Sequence, residues 1–191
     1  YGLAVTDGLF MSSRDGRDFR RWNEAFLRPG PESEKRWVYG DGYAAYGLLA
    51  TPGQCPGEAR EISLFASAND WSDTPVQLYR YTLRMDGFVS RGALYEGGEV
   101  VTKPLTFTGD RLCVNLATPA AGSVRVYLED ERGNPLEGYD SGELFGDAVD
   151  RPVDFERPVA ALQGRPLKLR FVLRDAEIYA FQFGYEKEQS R

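Results

Sequence analysis

Leu167-Lys168-Leu169-Arg170-Phe171-Val172-Leu173-Arg174 decides the fold class. Its odd positions are apolar and most of its even positions are charged. A period of two places one row of side chains against a core and the other toward solvent or a second layer, as a strand requires. The same pattern recurs upstream. Leu112, Val114 and Leu116 alternate with Cys113, Asn115 and Ala117, and Val124, Val126 and Leu128 alternate with Arg125, Tyr127 and Glu129. Residues 77–84 and 177–183 read as two more strands, with Tyr79 and Tyr81 on one side of the first and Tyr179, Phe181 and Phe183 on one side of the second.

The punctuation between these runs agrees. The chain holds 21 Gly and 11 Pro, and they fall between short apolar runs, which marks an all-β chain. Asp86-Gly87 between residues 77–84 and 88–95 is a two-residue hairpin signal. Arg132-Gly133-Asn134-Pro135 separates 123–129 from 136–139. Phe19, Trp22 and Phe26 recur at helical spacing before Arg28-Pro29-Gly30-Pro31, which predicts a turn or two of helix with Trp22 in the core. Periodicity fails over 136–158, where acids are dense, and a long surface loop is expected there.

Composition removes whole classes of function. With 191 residues and 42% hydrophobic side chains, the chain can bury a core in one domain or two small ones. There is no histidine, so Ser-His-Asp and Cys-His catalysis and nearly every transition-metal site are excluded. A net charge of −6 disfavours nucleic acid as a partner. No apolar run is long enough to span a membrane. Phosphate-loop, dinucleotide-binding and nucleophile-elbow motifs are missing, and no cofactor is implied. Cys55 and Cys113 leave open one disulfide or two free thiols. A start at Tyr1, with no Met and no charged or apolar leader, reads as a processed or excised piece.

The aromatic group Trp37, Tyr39, Tyr43, Tyr46 and Trp71 is the most suggestive feature. Sugars present apolar C–H faces to rings and hydroxyls to carboxylates and amides. Trp37 and Tyr39 share one strand face if that segment is extended. Trp37, Tyr39 and Trp71 are therefore candidate stacking platforms, with Asp41 and Asp73 as hydroxyl partners on loops. The plain alternative is an aromatic β core. Asp140, Asp147 and Asp150 are candidate calcium ligands, against the plain reading of a solvated acidic loop without EF-hand spacing. Ser12-Ser13-Arg14-Asp15-Gly16 is either a simple turn or a polar cavity edge holding Arg14 and Asp15. Arg80 and Arg84 read as structural ion-pair partners. With 29 acids, spacing alone singles out no catalytic pair.

Several segments resemble a known family. Leu9-Phe10-Met11-Ser12-Ser13-Arg14-Asp15-Gly16, Phe19-Arg20 and Phe26-Leu27-Arg28-Pro29-Gly30 resemble the opening of a blade in glycosidase-like five-bladed β-propellers. Tyr79-Arg80-Tyr81-Thr82-Leu83-Arg84 with Asp86-Gly87-Phe88 resembles a blade's end. Leu112-Cys113-Val114-Asn115, Gly122-Ser123-Val124-Arg125-Val126, Gly164-Arg165-Pro166-Leu167-Lys168-Leu169-Arg170-Phe171 and Asp175-Ala176-Glu177-Ile178-Tyr179-Ala180-Phe181 resemble the C-terminal sandwich of fructosidase-type glycoside hydrolases. The resemblance implies a carbohydrate-active, bacterial, secreted parent, hence an extracellular or periplasmic location. Catalytic acids of such hydrolases come from early and middle blades. This chain holds about one blade of sequence, so a family active site is not carried over.

The expectation is an all-β chain: a blade-like antiparallel meander over 1–85, then an antiparallel β-sandwich, jelly-roll or concanavalin-like, over 86–191. Its expected function is that of a non-catalytic carbohydrate-binding or accessory module. Its expected partners are an oligo- or polysaccharide and other domains of a parent enzyme. The alternatives are a small glycoside hydrolase with paired carboxylates and a purely structural sandwich.

Overall fold

The computed structural model describes residues 4–34, 36–70, 73 and 75–185. It is all-β with antiparallel pairing, and its described helical content is one 3-10 turn, Val159–Leu162. Two compact units divide at Met85/Asp86.

In the first unit, β1 (Gly8–Ser13) and β2 (Phe19–Leu27) form a hairpin. This corrects the helix expected around Trp22. A spacing of four residues fits both a helical and an extended period, so Trp22 and Phe26 share a face either way. In the strand both rings meet Phe10, at centroid distances of 5.1 and 5.7 Å. Phe19, three residues from Trp22, falls on the other face and is exposed. Trp22 is half-buried, with the Arg20 guanidinium 4.8 Å from its ring centroid. The connecting segment is a turn. Asp15 Oδ1 accepts the N–H groups of Arg17 and Asp18, each at 2.9 Å, and Gly16 takes a φ of 74°.

The rest of the unit is a meander of β3 (Leu49–Thr51), β4 (Glu61–Ala68) and β5 (Gln77–Arg84), paired in that order. Its two faces differ. On one, Arg80 of β5 donates to Ser63 (2.8 Å) and Glu61 (2.6 Å) of β4 and to Thr51 (3.2 Å) of β3, tying the three strands together. On the other, Leu64 and Ala66 pack with Leu27, Phe26, Tyr81 and Leu83. Beyond β3, residues 42–45 continue along the edge of β4, where Gly42 donates to the Ser67 carbonyl and Ala45 to that of Phe65.

The second unit is a sandwich. One sheet runs β10 (Pro135–Leu144), β9 (Ser123–Glu129), β12 (Lys168–Arg174), β7 (Gly98–Val101). The other runs β11 (Asp147–Val153), β8 (Arg111–Ala117), β13 (Ala176–Gly184), β6 (Arg91–Ala93). The hydrogen-bonded pairs β6·β13, β7·β12, β8·β11 and β9·β10 are nested in sequence and alternate between the sheets. The unit is thus a long hairpin ribbon rolled on itself. Between the sheets lie the alternating rows expected from the sequence: Leu112, Val114 and Leu116, then Val124, Val126 and Leu128, then Leu169, Phe171 and Leu173. All nine are at most 1% exposed. Burying such a side chain stabilises by about 1.5–3 kcal/mol relative to leaving it exposed.

Two expectations for this unit are corrected. Residues 136–158 are mostly strand, not loop, because β10 and β11 are outermost in their sheets and carry register shifts. Gly138 and Gly142 in β10 take positive φ, and the resulting irregularity erases the period of two. The Asp86-Gly87 turn forms, with Asp86 at φ 57°, but β5 pairs with β4 and β6 with β13, so no hairpin spans it. The Arg132–Asn134 turn joins β9 to β10 as expected. There Asp130 Oδ1 accepts from the Arg132 and Asn134 backbones at 2.9 and 2.8 Å. Both cysteines are free thiols.

Candidate functional site

A cleft of about 610 Å³ lies in the first unit. Its position follows from the strand period. Gln77, Tyr79 and Tyr81 occupy alternate positions of β5, so they form one row, and all three line the cleft. Opposite them on β4 stand Ala68, Ala66 and Leu64. Ala68, opposite Gln77, lines the cleft, whereas Ala66, opposite Tyr79, is buried in the core cluster. Tyr81 is partly sunk in the core cluster, whereas Tyr79 is 44% exposed. The Tyr79 hydroxyl donates to Gln77 Oε1 at 2.7 Å, leaving the Gln77 amide N–H groups as donors.

A second wall comes from the segment after β2. Arg28, Gly30, Arg36 and Asp41 line it. Trp37 holds this wall from behind: its indole N–H donates to the Gly30 carbonyl at 3.1 Å, and its carbonyl accepts the Ala4 N–H. Gly30 takes a φ of 84°, and a Cβ there would sit 3.2 Å from Arg36 Nη1. Glycine therefore allows both the turn and the close pass of the guanidinium. Asp41 is 4% exposed, and its Oδ1 accepts the Asp70 N–H at 2.9 Å. Asp70 in turn accepts the Ser67 hydroxyl.

The residues singled out from sequence are scattered. Asp41 lines the cleft. Trp37 is half-buried behind the wall and lies in a turn, as does Tyr39, so the shared strand face expected for them does not form. Tyr39 is 57% exposed and Asp73 lies exposed in a bend; neither lines the cleft. Trp71 lies outside the described residues. Gln77, Tyr79 and Tyr81 are not among the residues singled out from sequence; their period of two is visible there, but the β4 residues opposite them are set by strand pairing.

The calcium candidates do not converge. Asp140 is held by Arg125 through two charged hydrogen bonds of 2.7 and 2.5 Å. This pairing lowers the Asp140 carboxyl below its ordinary range. Asp147 and Asp150 lie exposed on β11. Among the described residues, no group of three or more His, Cys, Asp or Glu side chains is placed to hold a metal ion. Arg14 and Asp15 are exposed in the β1–β2 turn.

A second depression, about 460 Å³, lies at one end of the sandwich and includes Asp175 and Glu177. Glu177 already has both oxygens engaged, by the hydroxyls of Ser90 (2.9 Å) and Tyr179 (2.6 Å). No described helix is long and apolar enough to cross a membrane. No family model, curated protein or solved structure matches this chain.

Proposed function

We propose that this chain is a non-catalytic carbohydrate-binding or accessory module of a polysaccharide-degrading enzyme, acting outside the cytoplasm. The observation that carries the reading is the Gln77-Tyr79-Tyr81 row lining a cleft that the buried Asp41 also lines. Such a site supplies a ring for a sugar's C–H face and amide and carboxylate groups for its hydroxyls. The rolled ribbon of the second unit supports the jelly-roll alternative over the concanavalin-like one. The resemblance of the segments to propeller-linked sandwiches supports a carbohydrate-active parent.

Hydrolysis by paired carboxylates is less well supported. The described cleft wall carries one acid, Asp41, and that chemistry needs two flanking the bond. A glycan array together with a reducing-sugar assay tests the proposal. Binding without turnover supports it, turnover favours the hydrolase, and neither favours a structural brace.

A further inference from the structure

We propose that the cleft selects an acidic saccharide, one bearing a ring carboxylate or sulfate, with Arg28 and Arg36 as the anion-binding side chains. This rests on the carbohydrate reading and adds its charge. Both arginines line the cleft and are exposed. No ion pair to another described residue engages Arg28 or Arg36, whereas Arg80, Arg111, Arg125, Arg157 and Arg170 are each so engaged. Asp41, the one described acid of the wall, spends Oδ1 on the Asp70 N–H. The wall therefore carries two guanidiniums against one buried carboxylate.

Guanidinium geometry suits this ligand. Its planar donors match a carboxylate or sulfate in a two-pronged contact, and such charged hydrogen bonds are the stronger kind. The chain as a whole is acidic, at −6. That charge acts weakly at the cleft, because fields between exposed charges fade over about 8 Å at physiological salt. Local charge therefore decides. The Arg36 head passes close over Gly30, whose carbonyl accepts the Trp37 indole N–H. A sugar stacked on the open Tyr79 ring would present its ring substituents to this wall.

The test is calorimetric titration of the full chain with a matched panel. It comprises oligomers of galacturonate, glucuronate and mannuronate, their methyl esters, the neutral galactose, glucose and mannose oligomers, and sulfated galactose oligomers. The expected result is binding of an acid form at least tenfold tighter than its ester or neutral counterpart. That preference should weaken with added salt and fall at least tenfold in Arg28→Gln/Arg36→Gln, with Lys103→Gln as the unaffected control. The uronate and sulfate arms identify the anion. Equal binding of acid, ester and neutral forms, unchanged in the double variant, overturns the anion assignment while leaving the carbohydrate reading intact. Binding of no member overturns both. Circular dichroism of the double variant, matching the parent, separates lost recognition from lost fold.

Discussion

The Asp41 carboxylate accepts the backbone N–H of Asp70 at 2.9 Å, joining points 29 residues apart in sequence. One end of the bond is a turn, the other the exit of β4, so it fixes the cleft wall to the sheet. Asp41→Ala removes the acceptor and strands a part-buried N–H, which costs about 1–3 kcal/mol. Asp41→Asn keeps a carbonyl oxygen and should cost less. Urea unfolding followed by tryptophan fluorescence measures both, and equal losses would show that the bond is not the source.

The sandwich core should dominate stability. Phe171 is 1% exposed and packs 5.6 Å from Phe181 by ring centroids. Phe171→Ala should cost about 3–5 kcal/mol. Tyr46 is fully exposed, and Tyr46→Ala should stay within about 0.5 kcal/mol of the parent. Denaturant midpoints of the two variants check this order.

Asp15 should titrate low. The N–H groups of Arg17 and Asp18 and the Ser13 hydroxyl hold its carboxyl at about 2, down from 3.8. Because the folded value is depressed, the turn's contribution is complete above the unfolded value and is lost as pH falls from about 4 through 2. An NMR titration should place the Asp15 midpoint near 2. A midpoint near 3.8 would show that the turn does not hold in solution.

The two thiols should behave oppositely. Cys55 is exposed, whereas burial, reinforced by Asp150, pushes Cys113 up to about 11. At pH 8 a disulfide exchange reagent should modify one thiol per chain quickly and the second only on unfolding. Cys113 favours its neutral form when folded, so its contribution to stability is intact below pH 9 and declines from there toward 11. Two rapid equivalents at pH 8 would contradict the buried placement.

The fold was legible where one face of a strand is buried and the other is not. Residues 124–128 and 167–173 satisfy that condition; 112–116 keeps the alternation although Cys113 and Asn115 on its second face are buried too, and each apolar row ends in the core. Legibility failed on β10, where the register shifts and Gly138 and Gly142 break the period, and on β2, where a spacing of four suits two conformations. The cleft was half legible. Asp41 is legible because it is an acid beside rings. Tyr79 and Tyr81 read in sequence as strand aromatics, because their surroundings depend on Ala66 and Leu64 standing opposite, a pairing that no local window contains.

The Tyr79 face of the cleft is the proposed sugar-binding surface. The direct measurement is the affinity of Tyr79→Ala for whichever oligosaccharide the array selects, beside Tyr39→Ala and with fold checked by circular dichroism. A stacking ring contributes on the order of 1–3 kcal/mol, by analogy with base–aromatic stacking. Tyr79→Ala should therefore bind about tenfold or more weakly, and Tyr39→Ala like the parent. A folded Tyr79→Ala that binds like the parent would contradict the account.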